Sequence, residues 1–403
     1  VDSGATQTWS LQGTPSTTYG SMAIDSATGI WIYTLDNTKA ATQALREGDS
    51  VTQTYTARVT DDFGAWVDQT ITLTINGTND VPVVTNLASA AAGSVSEAGH
   101  LDNGTPVAGT VTATGTLTAS DVDSGATQTW SLQGTPSTTY GSVALDASSG
   151  VWTYTLDNTL AATQALKEGQ SVTQTYTARV TDDKGAYVDQ TITVTINGTN
   201  DVPVITNTVA ATQGSVSEAG HLDDGTVVAG TVTATGDLNA SDVDSGATQT
   251  WSLQGTPSTT YGSMAIDSAT GIWIYTLDNT KAATQALREG DSVTQTYTAR
   301  VTDDFGAWVD QTITLTINGT NDVPVAVADT VTATEDAADQ TGYNDSNIAT
   351  TIVGGNVLTN DTDVDTGDKA TLAVIGVAAG SLASASGNVA TSVAGTYGSV
   401  SIA

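Results

Sequence analysis

The chain has 403 residues, with ten Lys and Arg against 43 Asp and Glu, giving a formal net charge of −33. Such a field repels nucleic acid and anionic membrane surfaces. The absence of cysteine excludes disulfides, thiolate metal sites and thiol catalysis. No apolar run approaches the roughly 18 residues needed to span a bilayer, and no signal peptide is legible in a sequence that starts inside a repeat.

In chain order the first feature is that repeat. Val1-Asp2-Ser3-Gly4-Ala5-Thr6-Gln7-Thr8-Trp9 returns from Val122 and again from Val243, a step of 121 residues, and residues 1–83 and 243–325 are identical. A unit of this length folds around its own core, unlike the 20–50-residue repeats of solenoids. The Pro-containing segment Gly77-Thr78-Asn79-Asp80-Val81-Pro82-Val83 recurs at 198–204 and 319–325 and sets the expected boundaries. These give the back part of one unit (1–83), two full units (84–204 and 205–325) and the start of a fourth (326–403). Both ends are expected to cut through domains.

Within the unit 84–204, small apolar residues alternate with Thr in 109–114 and 117–119, then in 127–132, 140–145, 151–156, 172–180 and 188–196. This period of two marks half-buried strands, and a short strand near 94–98 brings the number to seven. Asp146–Gly150 and Asp182–Gly185 are turns of the Gly/Asp type. Seven short strands at this spacing predict an immunoglobulin-like sandwich. Residues 158–169 instead place Leu and Ala at helical spacing between Asn158 and Gly169, which predicts one short helix per repeat with an Asn cap. The expected fold class is all-β, with tandem immunoglobulin- or cadherin-like β-sandwich domains joined end to end.

This topology gathers the acids. The Asp121-Val122-Asp123 connection and the Asp182-Asp183 turn fall at the end of the unit facing the incoming Asn79-Asp80, whereas Glu97 faces the outgoing Asn200-Asp201. Carboxylates converging on a hinge repel one another unless a cation sits among them. Calcium takes six to eight oxygens in irregular geometry, so loops from two domains can share it, whereas zinc favours His or Cys. The 121-residue step carries the pattern to Glu218, Asp242, Asp244, Asp303, Asp304, Asn321 and Asp322. Asn360-Asp361-Thr362-Asp363-Val364-Asp365 offers alternating Asp in one loop, without the Gly and closing Glu of an EF-hand. The alternative for each Asp pair is a solvated turn, and for the charge as a whole, solubility in salty water.

The runs 141–146, 150–158 and 165–170, closing on Ile196-Asn197-Gly198-Thr199-Asn200-Asp201-Val202-Pro203-Val204, resemble the VCBS repeat of giant, type I-secreted (RTX) adhesins of Gram-negative bacteria. The resemblance covers residues 1–325. The segment 356–365 is similar to the related bacterial cadherin-like repeat. The resemblance implies calcium on Asn79, Asp80, Asp121 and Asp123 at the first joint. At the second it implies calcium on Asn200, Asp201, Asp242 and Asp244, with Glu97 from the domain behind. It also implies a secreted, cell-surface location.

An enzyme is not expected. His100 and His221 occupy one repeated position, read as an exposed loop, with no nucleophile pattern beside them, and the paired carboxylates lack a cleft of aromatics. Two non-enzymatic alternatives remain. A carbohydrate-binding module would stack sugar on Trp66, Tyr187 and Trp308, beside the last turn of each unit, whereas Trp9 and Trp31 are expected in the core. A self-assembling extracellular filament or sheath would pair Thr-rich strand edges of other copies. The favoured reading is the structural extender of a secreted bacterial surface adhesin, with neighbouring repeats as partners and no membrane insertion.

Overall fold

The computed structural model describes residues 6–332, 354–378, 387, 389–395 and 399–402; part of the stretch expected to begin a fourth repeat, 326–403, therefore lies outside the described residues. The chain forms two compact units, 1–202 with 242–247, and 203–241 with 248–403.

In the first unit, Gln128–Gln133, Ser171–Asp182, Tyr187–Asn197 and Ala92–Ser96 form a four-stranded sheet in that order. Ala92–Ser96 runs parallel to its neighbour, with Val95 opposite Ile196. A three-stranded sheet, Thr112–Thr116, Val151–Leu156 and Gly141–Leu145, faces it. Alternation explains the layering. On the long hairpin Tyr176, Ala178, Val180, Ile192, Val194 and Ile196 point inward and are buried. Their neighbours form threonine rungs on the outer face, Thr173 opposite Thr195, Thr175 opposite Thr193 and Thr177 opposite Thr191. Trp152 fills the centre with its Nε1–H donating to the Ala90 carbonyl at 2.8 Å, so its one polar atom is satisfied. Gly115 is required beside it, because a Cβ there would lie 2.2 Å from the Ala90 oxygen and 2.6 Å from Trp152 Nε1.

Residues 7–76 of the same unit repeat the back of this arrangement. Gln7–Leu11, Ser50–Asp61 and Trp66–Asn76 make one sheet, and Gly20–Ile24 pairs with Trp31–Leu35. Their core is Met22, Tyr55, Ala57 and Ile71. Trp31, expected in the core, is 44% exposed, whereas its equivalents Trp152 and Trp273 are 0% exposed. The difference follows from the strands that cover those two, Thr112–Thr116 and Thr233–Asp237. The second unit repeats the full sandwich, with Gln213–Ser217 parallel to Trp308–Asn318 and a core around Trp251, Trp273 and Ile313.

The helix is shorter than expected. It spans Ala161–Gln164, is flanked by Leu160 in an extended conformation, and has no side-chain cap. Asn158 is not the cap, because Asp157 Oδ1 takes both the N–H and the hydroxyl of Thr159 and closes a turn first. Two short pairings were not legible in the sequence. Val83–Val84 pairs with Ala119–Ser120 and Gly99–His100 with Pro106–Val107. Together they fix the two ends of the domain on which the acids sit.

Candidate metal centre at the repeat junctions

Each linker reads Asn-Asp-Val-Pro, and proline leaves the preceding backbone extended and free to be gripped by loops. At the first junction Asn79 Nδ2 donates to Asp182 Oδ2 at 2.9 Å, and the Asp80 N–H donates to Asp123 Oδ2 at 2.9 Å. Asp121 Oδ1 accepts the Asp123 N–H at 3.0 Å, so the Asp-Val-Asp loop folds on itself and aims both carboxylates at the linker. Asp123 is buried, and its Oδ1 has no hydrogen-bond partner. Burial raises the Asp80 pKa, and repulsion from Asp123 and Asp121 adds to it. Burial also pushes Asp182 up, but bonds from Asn79 and the turn amides of Lys184, Ala186 and Gly185 outweigh it and lower its pKa.

Around the second linker, within the first unit, the same parts recur and a buried glutamate joins them. Glu97 follows strand Ala92–Ser96, is fully buried, and accepts Gln164 Nε2 at 2.8 Å on Oε1 and the Thr199 N–H at 3.4 Å on Oε2. Burial pushes its carboxyl up to about 8, with repulsion from Asp201 and Asp244 adding to the effect. The Asp201 N–H donates to Asp244 Oδ2 at 2.9 Å and the Asp244 N–H to Asp242 Oδ1 at 3.0 Å, repeating the first junction. His100 does not occupy the exposed loop expected of it. Its N–H donates to the Asn200 carbonyl at 2.6 Å, and its Nδ1 lies 3.5 Å from Asp201 Oδ1. The short Gly99–His100 strand carries it there.

The third junction, in the second unit, has the same parts. Glu218 is 0% exposed, its Oε1 accepts Gln285 Nε2 at 2.8 Å, and its Oε2 has no hydrogen-bond partner. Burial, then repulsion from Asp322, raises its pKa to about 7. The Asp322 N–H donates to Asp365 Oδ2 at 2.8 Å and the Asp365 N–H to Asp363 Oδ1 at 3.0 Å. Asp361 Oδ1 accepts the Val327 N–H at 2.8 Å, and His221 donates its N–H to the Asn321 carbonyl at 2.6 Å. Buried carboxylate oxygens without a proton donor, at Asp365 Oδ1, Asp322 Oδ2 and Glu218 Oε2, are costly in a protein interior. The donor set of hard oxygens fits a calcium-like ion. Among the described residues, no group of three or more His, Asp or Glu side chains is gathered in a way that could hold a metal ion. The carboxylates are therefore aligned along each joint by amide hydrogen bonds and are not drawn into one cluster.

The remaining predicted residues sit in, or on the strand ends beside, the last turn of each repeat. Asp183 pairs with Arg46 and accepts the Thr127 N–H at 3.1 Å. Asp303 Oδ1 accepts the N–H groups of Phe305 and Ala307, each at 2.9 Å, and Asp304 accepts that of Thr248 at 3.2 Å. Trp66, Tyr187 and Trp308 are exposed by 58, 51 and 39%. Each carries a guanidinium over its ring, from Arg58, Arg179 and Arg300 at 3.4, 3.5 and 3.3 Å from the centroid. Each arginine is held by a cross-strand aspartate, Asp68, Asp189 or Asp310. One face of every ring is thus occupied. Gln164, Gln285, Arg46 and the two histidines were missed as junction residues; the return of the glutamines and histidines at fixed repeat positions was the signal available, whereas Arg46 is replaced by Lys167 in the middle copy.

The profile of the bacterial cadherin-like domain family matches residues 79–198, the second sandwich with the linker acids in front of it. Among curated proteins none matches the chain. Similar solved structures include protocadherin gamma B2 extracellular cadherin domains 1–5, at 16% identity and TM-score 0.41, covering 78% of this chain and 52% of that one. Others are mouse cadherin-23 EC22–24, at 19% identity and TM-score 0.38, covering 79% and 86%, and Drosophila N-cadherin EC1–4, at 15% and 0.30, covering 78% and 68%. The chain spans about half the length of the protocadherin fragment. With its parallel outer strand and facing sheets, the fold is a cadherin-like tandem β-sandwich. Among the described residues no helix is long and apolar enough to cross a membrane.

Proposed function

We propose that this chain is a structural extender of a secreted bacterial surface adhesin, its repeats 1–83, 84–204, 205–325 and 326–403 joined by calcium-bridged linkers. The observation that carries this reading is Glu218, fully buried with an oxygen that lacks a proton donor, opposite linker acids whose bonds recur at every junction. Asn79, Asp80, Asp121, Asp123 and Asp182 would supply oxygens at the first joint. Glu97, Asn200, Asp201, Asp242 and Asp244 would do so at the second, and Glu218, Asn321, Asp322, Asp361, Asp363 and Asp365 at the third. Bound calcium supplies positive charge that relieves carboxylate repulsion and ties two domains through one ion. The chain's own groups orient the set. Amide bonds align the Asp-Val-Asp loops, and Gln164 and Gln285 hold the glutamates from the domain behind.

The test is small-angle scattering and thermal melting in calcium and then in chelator. A longer particle and a higher melting temperature in calcium are expected. An unchanged maximum dimension together with unchanged melting would refute the bridge. Affinity per site is expected on the order of 0.1–1 mM, as in extracellular calcium modules.

A further inference from the structure

One set of contacts at the junctions involves no linker acid. The carbonyl of Ala44, at the end of the short helix Ala40–Gln43, accepts the Ser124 N–H at 3.2 Å. Ala165 with Ser245 and Ala286 with Thr366 repeat this bond at 3.2 Å. Two residues past Ala44, Arg46 reaches the same neighbouring domain. Its Nη1 donates to the Gly125 carbonyl at 3.4 Å, and its Nη2 pairs with Asp183. Asp183 in turn accepts the Thr127 N–H. One guanidinium therefore joins two loops of the next domain, the one after Asp123 and the one at Asp182-Asp183. In the second unit Arg288 Nη1 lies 3.5 Å from Asp368 Oδ1 in the corresponding loop. The middle copy has Lys167 at this position, a point charge without the planar fork.

We propose that Arg46 is a positioning residue: with the helix-end bond from Ala44, it latches the first junction independently of any cation and holds the acid loops in register for one. This deepens the calcium reading by assigning the protein's own clamp at the same joint, and the short helix becomes a docking element. A lone exposed ion pair contributes little to stability. The latch differs in that three contacts from one short segment converge on two loops, and its arginine is only a quarter exposed.

The chain has no cysteine, so spin labels at Thr70→Cys and Thr191→Cys, on the exposed faces of the long hairpins either side of the joint, report it cleanly. Inter-label distances are measured in full-length protein by pulsed electron resonance, in chelator and in calcium chloride. In chelator a single narrow distance is expected, lost to a broad distribution in Arg46→Ala and Arg46→Lys. Unchanged circular dichroism in the variants shows that the domains stay folded. A broad distribution for the unsubstituted arginine in chelator would overturn the latch, as would a narrow one for Arg46→Ala. A narrow Arg46→Lys would overturn the role of the fork. Calcium restoring the narrow distance in Arg46→Ala supports the bridge itself, and its failure to do so would count against the calcium reading while leaving the chelator comparison decisive for the latch.

Discussion

The Asp80 N–H donates to Asp123 Oδ2 at 2.9 Å, across 43 residues of sequence. The same bond joins Asp201 to Asp244 at 2.9 Å and Asp322 to Asp365 at 2.8 Å. In each case one carboxylate oxygen orients the linker backbone and leaves the other to face the joint. A main-chain donor thus holds each acid among its repelling neighbours.

This division of labour separates charge from hydrogen bonding. Asp123→Asn keeps an acceptor for the Asp80 amide but removes the negative charge. Melting in chelator is expected to change little, while the calcium-induced rise loses the share of one joint. At a calcium concentration ten times the dissociation constant that share is about 1.4 kcal/mol. Calcium titrations followed by calorimetric melting check this, and a full wild-type rise would remove Asp123 from the ligand set.

The buried glutamates give a pH dependence of defined sign. Glu97 rises from an ordinary 4.5 to about 8 and Glu218 to about 7. The folded chain therefore binds protons more tightly than the unfolded one. Their contribution is fully present below pH 4.5 and is lost as pH rises through about 7 to 8. In chelator, stability is expected to fall across this window. Glu97→Gln, which mimics the protonated group, is expected to flatten that share of the slope. Urea unfolding at several pH values in chelator tests it, and stability that rises with pH in wild type and variant alike would contradict it.

Trp152 is the largest wholly buried side chain of the second sandwich, and its indole N–H is bonded to Ala90. Trp152→Ala removes both the packing and the bond, at a cost of about 3–5 kcal/mol. Denaturant unfolding should show it as a fall in midpoint.

The Arg179–Tyr187 contact behaves as a sheet-stabilising pair. Tyr187→Ala is expected to cost about 0.5–1 kcal/mol. Tyr187→Trp, which copies Trp66 and Trp308, should be neutral or slightly stabilising. Equal midpoints for all three proteins would show that the stacked arginine contributes nothing.

Much of the fold was legible because strand signals are local. The Thr alternation of 172–180 and 188–196 set the inward and outward faces, and the paired residues followed. The helix at Ala161–Gln164 was overestimated because Asp157 competes for the backbone at Thr159. The candidate site was legible in its Asp-Val-Asp loops and Asn-Asp linkers, since the repeat returns them at fixed places. His100 was misplaced as an exposed loop residue, because nothing local announces a two-residue strand.

By itself, then, the sequence determined the repeat, the sandwich class and the presence of acids in and beside the linkers, all of which depend on period and on residues near in the chain. Tertiary structure alone decided which partners meet there. Gln164 reaches Glu97 across 67 residues and Arg46 reaches Asp183 across 137. The guanidinium over Trp66 likewise depends on the register of two paired strands. Such contacts follow from the direction in which packed strands and loops aim their side chains, and spacing along one segment does not encode that direction.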